Sequence, residues 1–564
     1  METVNANLKY VRPASIDAPC IGKRPFDNKP EGKRVPFGWS AVPILQASAN
    51  ESTHIHWVHP EKAAGAWYAQ QSFSAFLRIT VAVDVREEKI IDVVSAVSGA
   101  YLGSFDIKYA YVLQPFEIQL PKEAVEVALK EGVALRMVQG ELPLWIFAKL
   151  DGDDGMMAGS SKDVSGDGYE SGTRGINEAA ANLGEANTAS ADAPDLLQPH
   201  VLLTQHEGPH EQRIEALLSA LASTASLQTF GWMEGCVLDG LLDLSTAAVG
   251  EAERAFYSEA AAFHLQHFFD AQGQLVYENP RSEPVDGHIY GIEGTLPFAS
   301  VAMLWPAHPS IQMAIDYFYR ELKQGGAIMD GSTLSAEGSY TIAYPLAQFA
   351  AAWDRKDLAE EAVRQLTVRQ KLLVIDDDVY LRWHTNGNRS FRNWARAYAW
   401  YMLGLSRSIA VFTDKGATSA IQEVAGSAAF RTLLEEWVRV AGAARRSQQA
   451  DGCWAVFVGE PETGVDTSGS SGIAAALAIG SRFLRGKLAQ ETLGTAALAE
   501  AQLSQQAAQA AYAALPAYLT PDGLLKGVAQ SNRNGEELQR GGYRVLSQMG
   551  MGLLGQLHAA LHRA

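Results

Sequence analysis

Carboxylates, aromatics and amides crowd a few short loops of this 564-residue chain. Glu293 stands in YGIEGTLPF (290–298), and Glu337 in MDGSTLSAEGSYTIAYPLAQF (329–349). Hydrolysis of a glycoside commonly uses one group that gives a proton and one that activates water or stabilises charge. Glu293 and Glu337 are candidates for that pair, with Asp330, seven residues before Glu337, as an alternative acid. A buried pair of carboxylates separates in pKa and divides the two roles. Each Glu also suits the start of a helix, where it would stabilise free N–H groups.

The segment WHTNGNRSFRNWARAYAW (383–400) adds His384, Arg389, Arg392, Arg396 and Trp400. Arg396 and Trp400 stand four residues apart and share a helix face. A guanidinium matches a carboxylate with two parallel hydrogen bonds, so Arg396 suits a uronate, and a salt bridge within the fold is its structural alternative. Arg389 and Arg392 would make the mouth of such a pocket locally basic. Trp232 in WMEG offers a sugar platform or a core side chain. Asp466 in DTSGSSG reads first as a helix cap and second as a substrate contact, and Asn532 is placed to close the pocket from a C-terminal loop.

Other chemistries find less support. IDDDVY (375–380) has adjacent acids but no histidine at ligand spacing, and DGDDG (151–155) lacks the rest of a calcium loop. No serine elbow, phosphate loop or dinucleotide fingerprint occurs, so neither a metal nor a cofactor is expected. Cys20, Cys236 and Cys453 are far apart and read as reduced thiols. The formal charge of −18 disfavours nucleic acid and anionic membranes, but not a local pocket for an acidic sugar. No run reaches about 18 apolar residues, and the N-terminus lacks a signal-peptide pattern, so a cytoplasmic protein is expected. A homo-oligomer is left open.

The elements that must position these residues fall into two textures. Residues 1–150 alternate as short strands at 78–85, 106–120, 134–140 and 142–149, which predicts a β-sandwich, with the first forty residues as irregular chain. Residues 151–204 form an acidic connector; 151–199 hold ten acids and two bases, too polar to form a core. From 205 to 564 helical periodicity dominates, with runs at 211–223, 236–249, 251–269, 311–323, 339–353, 357–372, 392–412, 419–445, 470–486, 490–516 and 543–562. Several are too apolar to show a polar face, which places them in an inner layer of stacked helical hairpins, closed as an (α/α)6 barrel or, in the competing reading, extended as a repeat solenoid.

Three pieces of this second region resemble the unsaturated glycuronyl and rhamnogalacturonyl hydrolases, glycoside hydrolase families 88 and 105. NWARAYAWYMLGL (393–405) is similar to the family's Trp-Ala-Arg-Gly-Asn-Gly-Trp helix start. DTSGSSGIAAAL (466–477) is similar to a later Glu-Thr-Ser segment, and WHT (383–385) to an aromatic-His segment. The resemblance implies an (α/α)6 barrel and an exo-acting hydrolase that removes a terminal uronic acid from an acidic oligosaccharide. It implies Glu337 or Asp330 as general acid/base, Glu293 as second acid, and Arg396, Trp400 and His384 in the sugar subsite. The family's Gly-Asn-Gly is here Ala397-Tyr398-Ala399, and its loop aspartates are glutamates. These departures point to a sister family with an N-terminal β-sandwich that acts as a saturated-substrate β-glucuronidase. A polysaccharide lyase using Tyr340, Tyr344, Tyr398 or His384 as base, and a non-catalytic carbohydrate-binding protein, are the remaining readings.

Overall fold

The computed structural model describes residues 8–19, 30–46, 52–58, 73–148, 195–205, 209–321 and 325–563. The chain divides into two compact units. One comprises Lys9–Lys108 and Glu117–Gln205, the other Met1–Leu8, Tyr109–Phe116 and His206–Ala564.

The first unit is built from sheets. Its strands are β1 (Leu8–Val11), β2 (Pro13–Asp17), β3 (Ala41–Ile44), β4 (Thr53–Trp57), β5 (Ser74–Thr80), β6 (Lys89–Ser95), β7 (Tyr101–Ile107), β8 (Pro115–Leu120), β9 (Val133–Gln139), β10 (Leu144–Phe147) and β11 (His200–Thr204). They pair in the orders β1-β11-β5-β8 and β2-β4-β9-β6-β7, with β3 and β10 as a separate ribbon. A helix, α1 (Lys122–Glu131), follows β8.

The predicted strand at 78–85 changes partner part-way. Ser74–Thr80 pairs with β11, and Val81 then bridges Ile146 while the Ala82 amide donates to Trp145 O. Trp57 is buried and donates its indole N–H to Ala128 O at 2.8 Å.

Three expectations need correction. Residues 8–11 and 13–17 are strands rather than irregular chain, because Val11 and Ile16 are apolar enough to be buried. The predicted connector contains β11, whose His-Val-Leu-Leu-Thr run is buried throughout. The predicted strand 106–120 is interrupted, since Tyr109–Phe116 belongs to the other unit. Within that predicted connector, residues 151–194 lie outside the described residues.

The second unit is helical, with a four-stranded sheet of β12 (Thr333–Ser335), β13 (Val374–Ile375), β14 (Asp378–His384) and β15 (Arg389–Arg392), and a two-stranded one of β16 (Val528–Ala529) and β17 (Arg544–Val545). Its main helices are α2 (His210–Leu221), α3 (Trp232–Ala247), α4 (Glu251–Gln266), α5 (Pro297–Leu304), α6 (Ser310–Glu321), α7 (Tyr344–Trp353), α8 (Lys356–Leu373), α9 (Ala395–Phe412), α10 (Ala428–Arg446), α11 (Thr467–Phe483), α12 (Ala496–Ala514) and α13 (Gln548–His562). The odd-numbered helices touch in chain order, α3 to α5 to α7 to α9 to α11 to α13, and α13 closes back on α3. The even-numbered helices pack outside them: α4 on α3, α6 on α5, α8 on α7, α10 on α9, α12 on α11, and α2 on α13. This is the (α/α)6 arrangement.

Composition explains which layer each helix joins. The inner α9 and α11 are buried almost end to end, whereas the outer α10 keeps Arg431, Glu435 and Arg439 out of the core. Small residues set the spacing inside the ring. A Cβ added to Gly404 on α9 would stand 2.1 Å from the Ser339 carbonyl carbon. Backbone cannot yield there, so Gly404→Ala is expected to cost at least about 1–3 kcal/mol. A melting temperature equal to wild type would contradict this packing.

Among the described residues no helix is long and apolar enough to cross a membrane. Cys236 and Cys453 are buried free thiols, and Cys20 lies outside the described residues.

Candidate active site

Alternation of inner and outer helices leaves all six inner helices parallel. Their N-termini therefore gather at one end of the ring, and their dipoles favour negative charge there. Trp232 opens α3, Glu293 precedes α5, Glu337 precedes α7, Arg396 lies in the first turn of α9, Asp466 caps α11, and Gln548 opens α13.

Glu293 sits in a single 3-10 turn, Ile292–Gly294. The hydroxyl of Tyr277 donates to His288 O at 3.0 Å and accepts from the Tyr290 amide at 3.1 Å, which pins the approach to this turn. Gly231, at φ +145°, lets α3 begin against it, since a Cβ there would stand 2.9 Å from Glu293 O. Thr295 ties the turn to the other acid loop, donating to Ile292 O at 2.7 Å and to Thr341 O.

Glu337 follows β12 (Thr333–Ser335), which pairs with β14 (Asp378–His384). Immediately after it, Ser339–Ala343 forms a π-helical turn, a distortion frequent at functional sites. Arg369 of α8 clamps this loop from below. It is fully buried and donates to Ser335 O at 3.1 Å, Ile328 O at 3.0 Å and Gln365 Oε1 at 2.8 Å. Burial pulls its ionisation down to about 9.

The two acids face one another electrostatically. Glu293 is pushed up to about 7, first by burial, then by the charge of Glu337, with a smaller push from Asp330. Arg533 opposes that shift, its Nη2 lying 3.3 Å from Glu293 Oε2, and Arg382 on β14 opposes it more weakly. The Glu293 side chain keeps 16% exposure, so it is reachable from the mouth. A carboxyl that still holds its proton near neutrality, beside a second carboxylate, can donate that proton to a bound sugar. Asp330 itself is exposed on a tight turn, where its amide and carbonyl both bond to Thr333.

An aromatic series runs away from the acids. Trp232 meets Trp400 edge-on at 5.4 Å, and Trp400 stacks on Tyr340 at 6.1 Å. Trp232 is half-buried, while Trp400 and Tyr340 are buried. The Tyr340 hydroxyl donates to Asp239, and Tyr344 reaches the same carboxylate at 3.5 Å. Burial, then the charge of Asp239, pushes both phenols well above their ordinary range. Tyr398 donates to Asp377 O at 2.6 Å.

Arg396 is only 3% exposed, lies over the Trp394 ring at 4.4 Å and donates to Gln530 O. Asp466 is fully buried and accepts from the Ser468 amide at 3.1 Å, the Ser468 hydroxyl at 2.7 Å and the Ala529 amide at 3.1 Å. These two residues hold the C-terminal loop 528–534 against the inner helices. Asn532 stands in that loop, half-buried, between Ser531 and Arg533.

The β14 end of the 383–400 segment is more open. His384 pairs across the ribbon with Thr333, their side chains 3.4 Å apart. Arg389 donates to Leu372 O at 2.7 Å, and Arg392 pairs with Asp378 at 2.7 Å. Arg389 and Arg392 therefore do not form one cluster with Arg396. Two of the three IDDDVY acids are also committed: Asp377 to Arg439 and Arg446, and Asp378 to Arg392 and Asn393. Glu234, beside Trp232, is buried against His264 at 2.9 Å.

Residues 340–556 match the model of Glycosyl Hydrolase Family 88. That match marks the chain as a glycoside hydrolase. Among solved structures, the chain is similar to a possible member of glycoside hydrolase family 105 from Salmonella enterica subsp. enterica serovar Paratyphi A. Identity is 14% and the TM-score 0.50, over 64% of this chain and 94% of that one. A possible member of the same family from Klebsiella pneumoniae subsp. pneumoniae gives 14% and 0.50, over 63% and 93%. These likenesses concern the fold. No curated protein matches the sequence.

For this glycoside hydrolase the sequence reading passed over Arg533 and Tyr111. Arg533 follows Asn532 directly in sequence, and only its reach to Glu293 marks it. Tyr111 was hidden inside a run that reads as strand. Its hydroxyl donates to Ser531 Oγ at 2.9 Å and its ring meets Trp232 edge-on at 6.1 Å.

Proposed function

We propose that the protein removes a terminal uronic acid from acidic oligosaccharides, with an unsaturated uronyl residue as the first substrate to consider. One observation carries this reading: beside the N-termini of the inner helices, burial and then the charge of Glu337 raise the Glu293 carboxyl to about 7. In this reaction Glu293 gives a proton to C4 of the C4–C5 double bond. Glu337 takes a proton from the water that adds at C5. The hemiketal so formed collapses, and the rest of the oligosaccharide leaves as an alcohol. The parallel inner-helix N-termini and Arg533 supply the positive field that a uronate carboxylate needs. Trp232 supplies an apolar face for the ring. We read the sheet-rich unit as a β-sandwich that carries no acid of this reaction.

A saturated β-glucuronide is the second reading, favoured by glutamates where the resembled families place aspartates. There the same two acids act at C1 instead. Incubation of both substrate classes in heavy-oxygen water separates the two, since the label enters at C5 in one case and C1 in the other. Turnover of neither class would overturn the proposal.

The charges around Glu293 also fix a pH dependence. Its acid form is lost as pH rises through about 7, so kcat/KM should fall on that alkaline side. Arg533 holds the carboxyl down, so Arg533→Met should move that limb to higher pH. A limb that stays put, or moves to lower pH, would remove Glu293 as the proton donor.

A further inference from the structure

Tyr109–Phe116, which follows β7 and runs into the first two residues of β8, packs as part of the helical unit. Its anchorage is extensive and mostly made by glutamines. Gln530 Nε2 donates to Tyr109 O at 2.6 Å, and Gln548 Nε2, from the first residue of α13, donates to Leu113 O at 2.6 Å. Gln114 accepts from the Tyr111 amide at 3.1 Å and donates to Leu546 O at 3.3 Å. Leu113 is held at φ +66°, a conformation that needs such surroundings. The loop is therefore fixed before any ligand arrives.

This anchorage places one side chain at the mouth. Tyr111 is partly exposed, bonded through its hydroxyl to Ser531, and forms an aromatic corner with Trp232. It lies close enough to feel the charges of Glu293, Arg533 and Arg396, and burial followed by Glu293 raises its own ionisation. Between Tyr111, Trp232 and the buried Arg396 lies a cavity of about 10 Å³, room for at most one water. A sugar ring has no room in that cavity, so any contact with Tyr111 is made by its partly exposed face.

We propose that Tyr111 contacts the sugar directly and, with Trp232, forms the corner that selects which terminal sugar the site accepts. The inference rests on the glycosidase reading above and extends it to a residue encoded far from the helical sequence. An aromatic ring with a fixed hydroxyl offers an apolar face at little entropic cost, which suits the C–H face of a pyranose.

The test uses the full chain and the substrate that the wild type turns over. Tyr111→Ala and Tyr111→Leu should each raise KM by about 10-fold, with kcat nearly unchanged, from loss of an aromatic contact of about 1.4 kcal/mol. Tyr111→Phe keeps the ring and loses only the bond to Ser531, so its KM should stay close to wild type. Unchanged KM in Tyr111→Leu would overturn the proposal. So would a Tyr111→Phe variant as impaired as Tyr111→Leu, since the bond to Ser531 would then account for the whole effect. A wild type that turns over no uronyl glycoside overturns both readings, whereas wild-type turnover with unaffected variants overturns this one alone.

Discussion

Glu293→Gln is expected to lower kcat by about 10²–10⁴-fold while leaving the fold and ligand binding intact. The amide keeps the shape of the side chain and loses the transferable proton. The surroundings support an uncharged group at this position, because burial and the Glu337 charge already disfavour the carboxylate. The variant should thus be at least as stable as wild type near neutral pH. The sign follows from linkage. A carboxyl raised in the folded state favours folding at low pH, and that contribution is lost as pH rises from its unfolded value of 4.5 through about 7. Replacing it with Gln removes that loss. The same substitution should remove the alkaline limb from whatever residual rate remains. Full activity in Glu293→Gln would show that Glu293 only shapes the loop before α5.

Arg407→Met is expected to cost the largest amount of stability, about 3–5 kcal/mol. Arg407 of α9 is buried at the centre of the ring, with Nε 3.6 Å from Asp239 Oδ2 and Nη2 on Asp243. Removing it leaves Asp239, 1% exposed, facing the phenols of Tyr340 and Tyr344 without its cation. Asp239 already sits raised to about 6, mainly by burial and against the pull of Arg407. Without Arg407 it should rise further and take up a proton. The deficit should therefore shrink in acid and be largest above pH 6. Chemical denaturation of wild type and variant at pH 5 and pH 8 measures this. Equal losses at both values would show that Asp239 stays in one protonation state. A second consequence reaches the site, since Tyr340 stacks on Trp400 and Trp400 meets Trp232 edge-on.

The ring of helices was legible because its inner members have no polar face to offer solvent. NWARAYAWYMLGL and DTSGSSGIAAAL could only be buried on all sides, and the outer helices follow by elimination. Glu293 and Glu337 stand out in the sequence as candidates because glycines and aromatics surround them in loops between apolar helices. The meaning of Arg396, Arg389 and Arg392 was not legible. Sequence proximity suggested one basic mouth, but β15 (Arg389–Arg392) turns two of them to Leu372 O and Asp378 while α9 carries the third inward. Strand alternation in a ribbon and helical rotation send neighbouring residues to different partners.

Tyr111 and Arg533 were hidden for another reason. Each acts through contacts distant in sequence, Tyr111 to Ser531 and Arg533 to Glu293, which no local periodicity encodes. Likewise β11 was lost in an acidic connector because five apolar or neutral residues are too few to stand out from their surroundings.

The central claim is that this site hydrolyses a terminal uronyl residue with Glu293 as proton donor. The most direct measurement follows an unsaturated uronyl disaccharide and a saturated glucuronide with wild type and Glu293→Gln, in heavy-oxygen water. The expected result is loss of the double bond with wild type, label at C5 of the released uronate, and almost no reaction with the variant. Turnover by the variant at the wild-type rate, or no uronic acid released by wild type from either substrate, would contradict it.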